Sequence, residues 1–325
     1  MANIKEIAKL AKVSVSTVSR VLNDHAYVSG DKRKAVLEAI EHLNYSRNMS
    51  AVQLINGKTN VIGVMLPFIN HPYFTGLVEG ISAEALKNNY QLMLCQTDYN
   101  ELNEINVLKM LKTKQIDGII ICSKHMPLDQ IEPYARYGPI VACEDVGSSP
   151  VSSVFLDHYT SFRRGINYLI ERGHRHIGFC LGRNNGVNSQ MRRRAYVDAL
   201  TSIQEAIREE WIFYQSYRIE DGVDVLRKLL QMETRPTALL VTSDQVAAGI
   251  IMEAGKNGLR VPEDLAVIGF DNQPIAEVFD LTTIDNQLYE MGSQAFRIAY
   301  DQIMKIRELP EYRELEYRLI ERSSV

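Results

Sequence analysis

The chain reads as an α/β protein in two parts, a small all-helical head and a large body of parallel strands covered on both faces. Three observations predict this. Residues 4–43 carry apolar positions at helical spacing, broken by capping residues. From residue 60 onward, short apolar runs that end in polar or acidic residues alternate with helix-length segments. Charge divides at the same place: residues 1–58 hold nine Lys and Arg against five Asp and Glu, so the head carries +4, and a whole-chain charge of −4 leaves −8 for the rest. A basic head on an acidic body points to a polyanion as the partner of the head.

In the head, Ile4, Ile7, Ala8 and Ala11 form the apolar stripe of a first helix, which Asn3 caps with Glu6 completing a capping box. Ser14 caps a second helix over 15–22 with Val18 and Leu22 facing inward, and Ser29 caps a third with Val36, Ile40 and Leu43 inside. A helix, a tight turn over Ala11 to Ser14 and a second helix make a helix-turn-helix, whose second helix enters the major groove of DNA. Its outward residues are Val15, Ser16, Ser19 and Arg20. Arg20 suits the bidentate contact to guanine, Ser16 donates or accepts, and Val15 suits a thymine methyl. Ser14, Thr17 and Asn23 suit phosphate oxygens near the helix ends. After Tyr45 a short polar segment runs to Gly57, too short to hold a helix alone in water.

In the body the strand candidates are VIGVMLPF, YQLMLCQTD, DGIIICS, PIVACED, VSSVFLD, HIGFCLG, TALLVTSD and LAVIGFDN, with helical segments near 74–88, 101–113, 160–172, 191–205, 221–232 and 245–257. This is the rhythm of a parallel sheet. Periodicity leaves open whether there is one large sheet or two smaller ones. At 325 residues, with 46% hydrophobic and 23% charged, the composition is globular and excludes disordered and disulfide-scaffold classes. Cys95, Cys122, Cys143 and Cys180 each close an apolar run and read as reduced core thiols. No apolar run is long enough to span a membrane and the N-terminus has no signal-peptide core, so a cytoplasmic protein without membrane contact is expected.

The segments IKEIAKLAKVSVSTVSRVLN and VSGDKRKAVLEAIEHLNY closely resemble the head of the lactose-repressor (LacI/GalR) family of bacterial transcription regulators. The likeness continues through GKTNVIGVMLPFINHPYFTGLVEGI, QIDGIIICS, RPTALLVTSDQVAAGII, GLRVPEDLAVIGFDN and LIERSS. It implies a helix-turn-helix domain over 1–45, a hinge over 46–59, and an effector-binding and dimerisation body over 60–325 with the fold of periplasmic binding proteins. That body would be two doubly wound parallel-sheet subdomains, 60–158 plus 290–325 and 161–285, with the ligand between them. The resemblance also implies a homodimer on a palindromic double-stranded operator, with Leu54 as a minor-groove wedge beside Ala51. The sequence departs from the family at Lys12, where a turn glycine is usual, at Arg47 and at Val52.

In parallel sheets ligands sit beyond the carboxyl ends of the strands. Those ends offer Pro67 to Asn70, Ser123, Asp157, Ser243 with Asp244, and Asp271 with Asn272. Phe68, Tyr73, Phe74 and Tyr217 offer stacking faces; Phe74 reads also as core and Asp244 also as a cap of the next helix. By resemblance, Arg192 and Asp271 hold the hydroxyls of a small, sugar-like effector. Ser243 and Leu288 stand where other members often carry Asn and an aromatic, so the effector itself is not transferable. The motifs for a nucleophile elbow, a phosphate loop, a dinucleotide fingerprint and a helical metal pair are all missing. No catalytic residue, metal or cofactor is therefore expected, and the reading is a sugar-responsive repressor of carbohydrate genes. The alternatives are a global regulator co-activated by a phosphocarrier protein, a sugar-processing enzyme, and a transport receptor.

Overall fold

The computed structural model describes residues 3–45, 57–184 and 186–325, in two compact units that part between Lys58 and Thr59. The first unit holds α1 (Ile4–Leu10), α2 (Val15–Leu22) and α3 (Gly30–His42) around a core of Ile7, Ala8, Val18, Val21, Val36 and Ala39. The Asn3–Glu6 capping box is present, and the Ser14 hydroxyl accepts from Thr17 N at 3.2 Å. Two expectations shift. Val21 fills the core where Leu22 was expected, and Leu22 is half-buried. Ser29 precedes α3 but makes no side-chain cap bond.

The second unit contains two six-stranded sheets. The first half runs β1 (Val61–Leu66), α4 (Pro72–Lys87), β2 (Gln91–Gln96), α5 (Glu101–Lys112), β3 (Gly118–Ile121), α6 (Leu128–Ile131), β4 (Ile140–Ala142) and β5 (Ser152–Leu156). The second runs α7 (His158–Glu171), β6 (Ile177–Cys180), α8 (Val187–Ser202), β7 (Ile212–Phe213), α9 (Ile219–Leu230), β8 (Ala238–Val241), α10 (Asp244–Lys256), β9 (Ala266–Phe270), α11 (Pro274–Val278) and β10 (Thr283–Asp285). The chain then returns through α12 (Leu288–Ile303) and β11 (Tyr312–Leu315) to the first subdomain and ends in β12 (Arg318–Ile320).

The sheet orders are β11-β5-β4-β3-β1-β2 and β12-β10-β9-β8-β6-β7, so the same doubly wound pattern occurs twice. All pairings are parallel except that of β12 with β10. Each sheet reverses its winding beside its first strand, between β1 and β3 and between β6 and β8, which is where a parallel sheet leaves a crevice. Residues 290–325 do not all join the first subdomain: β12 adds to the second sheet, and Ser324 Oγ donates to Val267 O at 2.6 Å. The subdomains are therefore joined by three crossings, after β5, after β10 and between β11 and β12. The short strands β7, β10, β11 and β12 had no run of apolar residues to announce them.

Each half is clamped by one helix pair in near backbone contact. A Cβ built on Gly80 of α4 would lie 1.9 Å from Tyr289 O of α12, and one on Gly292 would lie 2.0 Å from Leu77 O. The second half repeats the arrangement with Gly222 of α9 against Val246 O (2.1 Å) and Gly249 of α10 against Ile219 O (2.0 Å). Only glycine allows axes this close. Cys122, Cys143 and Cys180 are buried and Cys95 is half-buried, all as free thiols, although Cys122 and Cys143 stand one residue past their strands.

Gly80→Ala and Gly249→Ala should each lower stability by about 1–3 kcal/mol or more, because neither helix can retreat without uncovering its core. Gly255→Ala, also helical but with nothing within 4 Å of its Cβ, should instead gain about 0.5–1 kcal/mol. Urea denaturation of the three variants checks the contrast.

Candidate functional site

In the head unit, Val15 and Ser16 are exposed at the start of α2 and Arg20 is exposed in its last turn. The Ser14 hydroxyl lies 2.8 Å from both Ser16 Oγ and Thr17 Oγ1, so the phosphate-type hydroxyls are already linked as a cluster at the helix start. Asn23 closes α2 at the exposed end, its amide 3.5 Å from Ser19 Oγ. Arg33 pairs with Asp24 and donates to His25 O at 2.9 Å, which pins the loop that follows. Lys12 holds φ at 54°, in the left-handed region that glycine occupies without cost. Ala51 and Leu54 lie outside the described residues.

In the body, the carboxyl ends of both sheets face one cavity, with about 750 Å³ of atom-free space partly open to solvent. The first subdomain contributes Phe68 after β1, Tyr73 and Phe74 from the first turn of α4, Tyr99 after β2 and Ser123 after β3. The second contributes Arg183 after β6, Asn188, Ser189 and Arg192 on α8, Ser216 and Tyr217 after β7, Thr242 and Ser243 after β8, and Asp271 after β9. Phe68 packs edge-on against Tyr99 at 5.6 Å and Tyr217 at 6.4 Å, so the two subdomains meet through an aromatic wall. Phe74 serves in both senses: it lines the cavity and is only 6% exposed within the core.

Arg192 and Asp271, of opposite charge, both line this cavity. The Arg192 guanidinium lies 4.8 Å above the Phe270 ring and donates to His158 Nδ1 at 3.2 Å, which leaves the imidazole proton on Nε2. Burial, with Arg192 beside it, pushes His158 well below the usual imidazole range, so it stays neutral. Asp271 accepts from Asn286 Nδ2 at 2.6 Å and Gln273 Nε2 at 3.2 Å. Its φ of 98° stores strain of about 1–3 kcal/mol, held by these bonds and by Asp271 N donating to Ile284 O. Burial pushes the Asp271 carboxyl up to about 6 against the pull of Arg192. Two buried polar atoms on this wall, Arg192 Nε and Ser243 Oγ, have no hydrogen-bond partner among the described residues. An unpaired buried donor costs about 1–3 kcal/mol, which a bound hydroxyl would recover.

Two expected residues stand elsewhere. Asp157 accepts from Tyr159 N at 2.8 Å and Thr160 N at 3.1 Å, which makes it the cap of α7, and it does not line the cavity. Asp244 is neither a lining residue nor the cap of α10. Fully buried, it accepts from Gln273 N and Thr283 Oγ1, both at 2.6 Å, and so knits β9 and β10 to α10. The missing Cβ of Gly269 makes room for it; a Cβ there would lie 2.0 Å from Asp244 Oδ1. Burial, reinforced by Asp271, pushes the Asp244 carboxyl up to about 8. The strand-end rule applied to β2 and β6 would have found Tyr99 and Arg183; nothing in the sequence marks Asn188, Ser189 or Ser216. His174 Nδ1 meets Thr237 Oγ1 at 3.0 Å and His176 packs on Trp211, so both are structural.

Residues 3–48 match the model of "Bacterial regulatory proteins, lacI family", and residues 59–322 match that of "Periplasmic binding proteins and sugar binding domain of LacI family". An uncharacterised HTH-type transcriptional regulator of Bacillus subtilis (strain 168), YkvZ, is 44% identical over 325 residues, all of both chains. The NTD biosynthesis operon regulator NtdR of the same organism is 44% identical over 298 residues, 91% of each chain. Among solved structures, the transcriptional regulator CelR–cellobiose complex is 27% identical with a TM-score of 0.72, covering all of both chains.

Two outcomes follow from the geometry. Lys12→Gly should raise the stability of the head by about 1 kcal/mol by relieving the left-handed residue, read from its thermal unfolding transition. Asp244 and Asp271 hold their protons up to about pH 8 and 6 when folded, whereas unfolded carboxyls release theirs near 4. Their contribution is thus complete below pH 4 and is lost as pH rises toward 8. Urea denaturation should show a less stable body at pH 8 than at pH 5, with Asp244→Asn flattening that slope.

Proposed function

The chain belongs to the LacI family of bacterial regulatory proteins and is a DNA-binding transcriptional regulator, and on that premise we propose that it represses carbohydrate genes under control of a small polyhydroxylated effector. The observation that carries the effector reading is the convergence of Arg192 and Asp271 on one cavity at the winding reversals of both sheets, with Arg192 Nε and Ser243 Oγ left unpaired. A carboxylate and a guanidinium together accept and donate to vicinal hydroxyls, and the aromatic wall of Phe68, Tyr73 and Tyr217 offers faces to a sugar ring. The cellobiose held by a protein that covers this whole chain supports the same ligand class.

In this reading Val15, Ser16 and Arg20 read base edges while Ser14, Thr17 and Asn23 hold phosphates. Residues 46–59 act as the hinge, Leu54 beside Ala51 entering the minor groove. The protein works as a homodimer on a palindromic operator, since a two-fold pair of heads requires two-fold half-sites. The edge strand β2, which leaves Met93 and Leu94 exposed, supports a pairing face in the first subdomain. Its place of action is the cytoplasm, where the operator lies. Effector binding moves DNA affinity only through its differential affinity for two body conformations, typically by about 5 to 150-fold.

Arg20→Ala should weaken a specific operator by about 1–3 kcal/mol and leave non-specific DNA nearly untouched; equal losses on both in a filter or fluorescence titration would reject base reading. A thermal-shift screen of the full chain against sugars identifies the effector, since a ligand at 100 times its Kd adds about 2.7 kcal/mol. Arg192→Ala and Asp271→Ala should then each abolish the shift while operator binding persists.

A further inference from the structure

We propose that the effector is anionic, a phosphorylated or carboxylated sugar whose charged group is taken by Arg183. The inference rests on the cleft reading above and narrows it. The charge inventory of the cavity is unequal: two guanidinium groups, Arg183 and Arg192, line it against the single carboxyl of Asp271. Asp271 is already bonded to Asn286 and Gln273. His158 and His71, the imidazoles nearest the site, are both held neutral by burial, with His71 pushed down to about 4.

Asp271 acts electrostatically on Arg192, which leaves Arg183 without a carboxyl of its own in the cavity lining. The Arg183 guanidinium lies 3.9 Å above the Tyr99 ring and donates one bond, from Nη1 to Lys124 O at 3.2 Å. Among the described residues no carboxylate lies within ion-pair distance of it. The neighbouring base, by contrast, has its own acid: Lys124 Nζ and Glu144 Oε1 are 2.8 Å apart and both side chains are 11% exposed. Of the five N–H groups of a guanidinium, four remain for a ligand.

The surroundings hold this group in place. Arg183 leaves β6 in the second subdomain, and both of its contacts, Tyr99 and Lys124, belong to the first, so it spans the cleft. Gly186 gives it space, since a Cβ there would lie 3.0 Å from Arg183 Nη2. The Ser123 hydroxyl, 3.2 Å from Tyr99 Oη, lines the same cavity beside the ring that Arg183 covers. A planar fork with a hydroxyl near it fits phosphate or carboxylate oxygens. A neutral sugar would leave the Arg183 charge uncompensated as the cleft closes over it.

The test is calorimetric titration of the full-length protein with hexoses, pentoses and disaccharides, each neutral sugar beside its phosphate ester and its sugar acid. Anionic members should bind at least tenfold more tightly than their neutral partners, and their affinity should fall with salt. Arg183→Gln should bring that ratio to about one, and Arg183→Lys should restore part of it. The ester and acid arms tell which anion the fork takes. Neutral sugars binding as tightly as their charged partners, no binding by any charged member, or a preference that survives Arg183→Gln overturns the inference. Binding lost in Arg192→Ala but indifferent to charge refutes this inference and leaves the cleft standing. Binding that survives both Arg192→Ala and Asp271→Ala refutes the cleft itself and the anion site with it.

Discussion

Everything in the body depends on four glycines that let helices touch backbone to backbone. In the first half the contact joins α4 to α12, segments some two hundred residues apart in sequence; in the second it joins α9 to α10. Where Cβ atoms are absent, a pair of helices loses its side-chain spacer and packs at the distance that its carbonyls permit. That distance sets where α4 begins, and the first turn of α4 brings Tyr73 and Phe74 to the cavity. It also anchors α12, so the chain that leaves for the second subdomain after β5 is recaptured when it returns.

The inner end of the cavity is built on a second layer of buried polar groups. Asp244 does not line the cavity, yet it grips Gln273 N, in the loop that carries Asp271, and the Thr283 hydroxyl on the neighbouring strand β10. The loop takes left-handed values at Asp271 and Asn272 in succession, a conformation that unsupported L-residues leave readily. Asn286, Gln273 and Asp244 together replace the missing local preference. Strain at Asp271 is thus offset by hydrogen bonds in a buried region, where such bonds count for more.

What the sequence discloses follows from how local each signal is. Parallel strands buried on both faces must be continuous apolar runs, so β1, β3, β6, β8 and β9 are visible, and helix starts are visible through Asn3, Ser14 and their neighbours. Strands of two or three residues at sheet edges, such as β7 and β12, owe their pairing to strands beyond an intervening helix, β6 and β10, and carry no such pattern. Polar roles show the same limit. Arg192 and Asp271 fall at strand ends or in recognisable segments, but Asp157 and Asp244 have the same appearance and serve as a cap and a buried tie. The difference lies in which donors surround each carboxylate, and those donors come from other parts of the chain. Lys12 was legible as an exception because its position demands a positive φ.

The third crossing, made by the stretch between β11 and β12, changes how the two subdomains are able to move. The three connecting segments leave from β5 and β11 in one sheet and from β10 and β12 in the other, strands that neighbour each other along one edge of each sheet. Three tethers side by side act like the knuckles of a door: sliding and twisting stretch at least one of them, whereas swinging about the shared line stretches none. Displacement then grows with the lever arm from that line, and β2 and β7, at the far edges, travel furthest. A small change of angle at the cavity would become a larger translation of the outer strand, amplified by leverage alone.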